Sequence, residues 1–163
     1  MIQQIRVTLP NEPGTLLGMV KALSDAGVDM KALEVSDRGP GDHGEANIIV
    51  SNLDGATQAL TAAKIDFTVE DALAVEMDDR VGGLALILDQ LAAAEINIRQ
   101  LYAFVSRVEG KSLAVLSTDA FERARLLLTE HGYNLLDRKR LEEGPPPEDA
   151  STITDHLGLD FIW

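Results

Sequence analysis

The second half of this chain repeats the residue pattern of the first half. Residues 11–16 fall on residues 79–84, and residues 27–30 fall on residues 95–98 at the same offset. Beyond these segments the comparison needs small gaps, which align Asp54 with Asp119 and Phe67 with Tyr133. Because a repeated sequence folds as a repeated supersecondary unit, the chain is predicted to contain two copies of one small fold.

Each copy shows the periodicities of strands and helices in the same order. Alternating apolar residues predict a first strand, and apolar residues spaced three and four apart predict the helix that follows it. In the first copy these residues are Ile5, Val7 and Leu9 for the strand and Leu16, Met19, Val20 and Leu23 for the helix. Gly27 stands where a residue that ends a helix is expected. The remaining segments complete the order βαββαβ in both copies.

This order predicts an α+β fold of two tandem ferredoxin-like units, each with an antiparallel sheet that carries both helices on one face. The bare second face would expose apolar side chains, so the two units are expected to pack together. The linker between them, Glu70-Asp71, is very short. The predicted domains are residues 1–71 and residues 72–141, followed by an acidic, proline-containing tail of residues 142–163.

The repeat pattern ends at Leu141. Residues 142–151 include three consecutive prolines and are predicted to form an extended spacer. The last residues are apolar again and include the only tryptophan, Trp163. Two interpretations stay open: the tail is an unfolded terminus, or it docks on a neighbouring sheet, which could belong to another subunit.

Composition excludes several classes of function. The formal net charge is −13, and a negative surface repels phosphate backbones, so nucleic-acid binding is not expected. Cysteine is absent, which excludes a disulfide framework and a thiolate metal site. No signal peptide and no membrane-spanning apolar stretch is recognisable. We therefore expect a cytoplasmic protein that does not contact membranes.

No residues are arranged as a catalytic site. The three histidines, His43, His131 and His156, lack metal-ligand spacing, and no phosphate-binding or nucleophile motif is present. The glycine-rich segment 37–44 joins two strands and precedes no helix, which is typical of a hairpin loop. We expect no enzymatic activity, no cofactor and no metal site.

Residues 1–141 resemble a pair of ACT domains. The resemblance rests on two motifs that lie in register in both copies, residues 11–14 and 26–30 in the first and residues 79–84 and 94–98 in the second. It implies a non-catalytic regulatory protein that binds an amino acid or similar small ligand where two units meet. A homodimer or higher oligomer and a regulated enzyme are the implied partners. The alternative is a ligand-independent interaction module that docks on an enzyme, or on another copy of itself, through its sheets.

The resemblance also implies which residues contact the ligand. In ACT domains these contacts come from the strand–helix loop and from the start of the second strand. The corresponding positions are Asn11, Pro13, Gly14, Val28, Asp29 and Met30 in the first copy and Asp79, Gly82, Gly83, Ile96, Asn97 and Ile98 in the second. The second copy departs from the family pattern, because Val81 replaces a usual proline and Glu95 replaces a usual glycine. The two sites are therefore expected to differ.

The residue types of these loops suit an amino acid. A helix N-terminus stabilises an α-carboxylate through unpaired N–H groups and a partial positive charge. Gly14, Gly82 and Gly83 allow a ligand to approach the backbone, and Asn11 and Asp79 offer acceptors for a ligand ammonium group. From the residue types alone, Asn11 and Asp79 are more typical of helix N-caps than of a binding site. With the resemblance, both roles are expected at once.

Overall fold

The computed structural model describes residues 2–37, 43–105 and 110–143. The first copy comprises β1 (Ile2–Pro10), α1 (Thr15–Asp25), β2 (Met30–Asp37), β3 (His43–Val50), α2 (Leu53–Ala62) and β4 (Asp66–Asp78). The second copy continues with α3 (Gly83–Ala93), β5 (Ile98–Val105), β6 (Lys111–Thr118), α4 (Phe121–Glu130) and β7 (Asn134–Leu136), and helix α5 (Arg138–Glu143) follows. The predicted βαββαβ order is confirmed in both copies, which share one strand.

Strand β4 is the shared strand. Its first part pairs with β1, and its second part pairs with β6 and β7, always antiparallel. Glu70 and Asp71, expected to form a linker, lie inside this 13-residue strand and pair with Gln4 and Gln3. The proposed domain boundary between residues 71 and 72 thus falls within a hydrogen-bonded strand, and no turn separates the copies.

Each copy buries one face of its sheet under its two helices. The strand order is β2-β3-β1-β4 in the first copy and β7-β4-β6-β5 in the second. Alternate residues of a strand share a face, and Ile5, Val7 and Ile48 pack with Met19 of α1 and Leu60 of α2. The equivalent core of the second copy contains Leu73, Val75, Ile87, Leu91, Leu116 and Leu128. Each fully buried aliphatic side chain contributes about 1.5–3 kcal/mol.

The faces opposite the helices pack against each other. Ile2 and Ile49 from the first copy meet Ala74, Leu113 and Val115 from the second in one buried apolar cluster, here called the sheet–sheet cluster. It confirms the expectation that the bare faces of the two units are paired. The pairing partner is the other half of the same chain.

The two copies keep one constant residue offset through their second helices, α2 and α4, without an insertion or a deletion. The N–H of Ile65 donates to the carbonyl of Leu60, and the N–H of Tyr133 donates to the carbonyl of Leu128, both at 3.0 Å. These equivalent bonds make Tyr133 the counterpart of Ile65, at the same offset that relates residues 11–16 to residues 79–84. The predicted small gaps, and with them the alignment of Phe67 with Tyr133, are therefore wrong.

The end of the second copy differs from the expected final strand. The sequence predicts a final strand from about Tyr133 to Arg138, but β7 has three residues, and helix α5 begins at Arg138. Arg138 Nη2 donates to the carbonyl oxygen of Ser51 at 3.4 Å, which places α5 against the first copy. Glu142 and Glu143, expected in the extended spacer, belong to α5. The rest of the tail and the central part of the glycine-rich segment lie outside the described residues.

Candidate functional site

The first candidate loop, residues 11–14, is exposed and ends in a left-handed glycine. Gly14 has a φ angle of 99°, and α1 begins at Thr15. The Thr15 hydroxyl donates to the carbonyl oxygens of Pro10 at 2.8 Å and Glu12 at 3.0 Å, which holds the loop in shape. A positive φ favours glycine because a Cβ atom would crowd the backbone. Open space surrounds Gly14 on the side where a Cβ atom would stand.

The second candidate loop joins β4 to α3 and has the same glycine with different supports. Gly82 has a φ angle of 86°. The N–H of Asp79 donates to the carbonyl of Gly110 at 2.9 Å, and the Lys111 ammonium donates to the Asp78 carboxylate at 2.9 Å. This hydrogen bond and the attraction between the charges lower the pKa of Asp78 and raise the pKa of Lys111. Because both groups are exposed, the pair orients the loop more than it stabilises the fold.

The two loops differ most at the residue that opens the helix. Gly83 of the second copy stands where Thr15 stands in the first. A Cβ atom at Gly83 would overlap the carbonyl oxygen of Asp78. The equivalent carbonyl, that of Pro10, accepts a hydrogen bond from the Thr15 side chain instead. The same turn is thus closed by a side-chain hydrogen bond in one copy and by close backbone packing in the other.

The first turns of α1 and α3 offer backbone N–H groups to a ligand. No described residue accepts a hydrogen bond from the N–H groups of Leu16, Leu17, Leu84 and Ala85. Gly14 and Gly82 occupy the N-cap positions, and neither helix has a side-chain cap. The interpretation of Asn11 and Asp79 as N-caps is therefore wrong, and both residues lie exposed at the start of their loops.

The apolar residues at the strand starts contribute to the two helix-facing cores. Val28 and Ile96 are only 6% and 5% exposed and belong to the first and second core. Met30 and Ile98 are partly buried and pack against the same cores. The side chains of Val28 and Ile96 therefore face away from solvent.

The polar residues at the strand starts form equivalent contacts in both copies. Ser51 Oγ accepts from the N–H of Asp29 at 3.2 Å, and Asp119 Oδ1 accepts from the N–H of Asn97 at 3.0 Å. Ser51, and not Asp54, is thus the equivalent of Asp119, which corrects the predicted alignment. The backbone N–H groups are satisfied, while the Asp29 and Asn97 side chains are exposed.

Within one copy, the loop and the strand start lie at opposite ends of the first helix. Helix α1 has 11 residues, which separates its two ends by about 16 Å. Strands β1 and β2 are both antiparallel to β3, so the end of β1 and the start of β2 lie at opposite ends of the sheet. An amino acid is too short to contact both. The structure brings Asn11, Pro13 and Gly14 together, and Val28, Asp29 and Met30 together, but it does not join the two groups.

The two candidate loops are also far from each other. Thr8 near the end of β1 pairs with Asp66 at the start of β4, while the second loop follows Asp78 at the end of β4. A strand of 13 residues spans about 40 Å. The loops therefore form two separate candidate sites.

A small pocket lies beside the start of β2. It is lined by apolar Ile2, Ile49 and Leu53 and by basic Lys31 and Arg138. Its volume of about 10 Å³ has space for about one water molecule. The pocket is too small for an amino acid.

No group of three or more His, Asp or Glu side chains among residues 2–37, 43–105 and 110–143 could hold a metal ion. No helix in these ranges is long and apolar enough to cross a membrane.

Sequence reasoning missed a polar network that crosses the interface between the sheets. Gln4 Nε2 donates to Gln100 Oε1 at 2.9 Å, and Gln100 Nε2 and Asn47 Nδ2 both donate to Glu34 Oε2 at 2.8 Å. The Tyr102 hydroxyl donates to Gln4 Oε1 at 3.3 Å. Gln4 and Asn47 are 1% and 2% exposed, so they need these partners. Alternation along β1 places Gln4 opposite the helices, but the sequence does not show what covers it.

Because of Tyr102, the tyrosine of this network, we expect the protein to lose stability at alkaline pH. Burial raises the pKa of the Tyr102 hydroxyl above its usual range, and the negative charge of Glu34 raises it further. The native state then keeps a proton that the unfolded state loses, so this stability is complete below about pH 10 and falls as the pH rises above it. The free energy of unfolding is expected to fall by up to about 1.4 kcal/mol per pH unit.

Urea unfolding at pH values on either side of the ordinary tyrosine pKa, about 10, measures this effect. We expect Tyr102→Phe to lose stability less steeply with rising pH than the unsubstituted protein. Tyr133→Phe, a change of the other tyrosine, is the matched control and should keep the full slope. Identical slopes in the two variants would contradict the role assigned to Tyr102.

The sequence of this chain matches a known family model. The family model of the ACT domain pair matches residues 1–143. The match covers most of the chain, so this chain belongs to the ACT domain pair family, and the resemblance found in the sequence is confirmed. ACT domains are regulatory and not catalytic modules.

Solved structures share the fold. The structure of a protein from Bacteroides thetaiotaomicron matches with a TM-score of 0.80 and 23% identity, over 87% of this chain and 96% of that one. The ligand-free regulatory subunit of aspartate kinase from Thermus thermophilus matches with a TM-score of 0.57 and 18% identity, over 78% of this chain and 90% of that one. No protein among the curated ones matches this sequence. At these identities the structural matches establish the fold.

Proposed function

We propose that this protein is a non-catalytic regulator that binds an amino acid at its strand–helix loops. The observation that carries the proposal is a loop that occurs twice, in which a left-handed glycine opens a helix whose first N–H groups lack a protein acceptor. The chain also belongs to a family of regulatory domains. The Thermus thermophilus structure is a regulatory subunit of an enzyme, which supports a regulated enzyme as the partner of this chain.

The chemistry of each loop fits the two charged groups of an amino acid. The α-carboxylate accepts hydrogen bonds from the free N–H groups at the start of α1 or α3, where the helix dipole favours a negative charge. The ammonium group donates to the Asn11 amide oxygen in the first loop or to the Asp79 carboxylate in the second. A charged acceptor forms the stronger hydrogen bond, so the second loop holds the ammonium group more tightly.

The complete site requires an ACT unit from a second copy of the chain. The loop and the strand start of one copy are about 16 Å apart, and the two sheets of one chain already cover each other. The proposed ligand therefore lies between a loop of one chain and a strand start of another. The proposed loop contacts are Asn11, Pro13 and Gly14 or Asp79, Gly82 and Gly83. The proposed strand contacts are Val28, Asp29 and Met30 or Ile96, Asn97 and Ile98, of which Val28 and Ile96 contribute main-chain atoms because their side chains are buried.

The direct test is thermal unfolding in the presence of each standard amino acid. At about 100 times its Kd, a ligand of the native state adds about 2.7 kcal/mol, which raises the Tm of a chain of this size by roughly 5–10 °C. Sedimentation in the presence of the stabilising amino acid should show a dimer or a larger oligomer. If no amino acid raises the Tm of the folded protein, the proposal fails.

Substitution of the loop glycines should remove ligand binding. Gly14→Val places a branched side chain where the ligand backbone would lie, and the positive φ adds strain of about 1–3 kcal/mol. We expect Gly14→Val to remain folded and to lose the ligand-induced rise in Tm at the first site. Gly82→Val should do the same at the second site.

A matched control separates strain from loss of the site. Gly132 also has a positive φ, 80°, and no neighbour near its Cβ position, but it follows α4. Gly132→Val should lower the Tm to a similar extent and keep the full response to ligand. A response that survives in the double variant of Gly14 and Gly82 would exclude the loops as the binding site.

The alternative of a ligand-independent docking module receives less support from the structure. That interpretation relied on bare sheet faces, and these faces form the sheet–sheet cluster inside the chain. Retention of an enzyme partner that is equal with and without amino acids, combined with no change in Tm, would favour the alternative.

A further inference from the structure

One edge of the structure presents apolar side chains that nothing in the described chain covers. Strand β2 ends its sheet and pairs only with β3 among the described strands. Leu33 and Val35, on its helix-facing side opposite Ile48 and Ala46, are 43% and 51% exposed. An open edge with apolar side chains and no proline favours pairing with a further strand.

The equivalent edge of the second copy is different. There, β5 carries Leu101 and Ala103 at the positions of Leu33 and Val35, and Leu101 is less exposed than its counterpart. At these two described positions the exposed apolar side chains of the first copy are therefore larger than those of the second. A specific partner for β2 explains why its edge carries two exposed branched aliphatic side chains at positions where β5 has Leu101 and Ala103.

The end of the chain has the sequence of such a strand. Leu157, Leu159, Phe161 and Trp163 alternate with other residues, which is the pattern of a strand with one apolar face. Ile162 is out of phase with this alternation, and on β2 the alternate face carries Ala32, which packs against the sheet–sheet cluster. A strand of seven residues, the number in 157–163, is about 23 Å long, similar in length to β2.

The tail also begins close to this edge. Arg138, the first residue of α5, lines the same small pocket as Lys31, which is the second residue of β2. Helix α5 has six residues and is about 9 Å long. Residues 144–156 can span up to about 45 Å, so the last seven residues reach any part of β2.

We propose that residues 157–163 of the same chain add a strand to the open edge of β2 and cover Leu33 and Val35. The main-chain groups of the edge supply the hydrogen bonds, and the alternating side chains supply the apolar contact, as in other cases of strand addition. A tethered segment acts at a high effective concentration, whereas the tail of a second copy must first associate with this chain. These arguments favour the chain's own tail over the edge of a second copy.

The only tryptophan reports directly on the tail, because Trp163 is the last residue. In the native protein we expect its emission to be blue-shifted, and its quenching by acrylamide to be several-fold weaker, relative to a free peptide of residues 144–163. Val35→Lys should return both properties to those of the peptide, because the substitution charges the covered edge. Ala103→Lys, at the equivalent position of β5, is the matched control and should leave Trp163 unchanged.

Further measurements distinguish the chain's own tail from the tail of a second copy as the segment that covers β2. Leu159→Pro removes a main-chain donor from the tail without changing any described residue, and it should also expose Trp163. Protection of Trp163 that disappears on dilution would show that the tail docks on a second copy and would overturn the proposal. A native Trp163 that is as accessible as in the peptide, or an equal response to Val35→Lys and Ala103→Lys, would also overturn it. None of these measurements depends on an amino acid ligand.

Discussion

Replacing Ala74 by aspartate is expected to lower the free energy of unfolding by about 3–5 kcal/mol, the effect of a buried charge without a partner. Ala74 is 1% exposed and lies in the sheet–sheet cluster with Ile2, Ile49, Leu113 and Val115. These neighbours have no polar side-chain atom to satisfy a carboxylate. Because small proteins are stable by about 5–15 kcal/mol in total, the change removes a large part of the stability.

Urea unfolding of Ala74→Asp beside Ala103→Asp tests this expectation. Ala103 lies on β5 and is exposed, so its substitution introduces the same charge into solvent and should change stability by about 0.5 kcal/mol or less. If Ala74→Asp were no less stable than Ala103→Asp, the two sheets would not pack against each other in solution. The comparison thus tests the relation between the two copies, which the shared strand and the sheet–sheet cluster establish.

The sequence predicted the units of this fold because their residues follow clear periods. Ile5, Val7 and Leu9 alternate along β1, and Met19 and Leu23 share one face of α1. The shared strand β4 could not be predicted in the same way. The charged pair Glu70 and Asp71 is typical of a linker, and only its pairing with β1 shows that it belongs to a strand.

The candidate loops could be located from sequence, but their geometry could not. The repeated glycines marked both turns, whereas the N-cap position depends on backbone angles, which place Gly14 and Gly82 there and leave Asn11 and Asp79 outside the helix. The separation of loop and strand start follows from the length of α1 and the parallel course of β1 and β2. The family resemblance implies that both segments contact the ligand, and the structure shows that the two segments of one repeat lie at opposite ends of α1.

Gly83→Ala is expected to destabilise the protein by about 1–3 kcal/mol, the range for forcing an extra group into a packed site. The added Cβ atom would overlap the carbonyl oxygen of Asp78, which is backbone and cannot rotate away. The loop would have to shift, and with it the contact between Asp79 N–H and the Gly110 carbonyl. Binding at the second candidate site should weaken as well.

The matched control, Gly18→Ala, should act in the opposite direction. Gly18 lies inside α1, and a Cβ atom there meets no other atom within 4 Å. Alanine is favoured over glycine inside a helix by about 1 kcal/mol, so this variant should be more stable than the original protein. Thermal unfolding of the two variants then gives shifts of opposite sign for the same chemical change. A Gly83→Ala protein that is as stable as the unsubstituted one would show that the turn has room for a side chain. Position 83 would then tolerate a Cβ atom as position 15, which holds a threonine, already does.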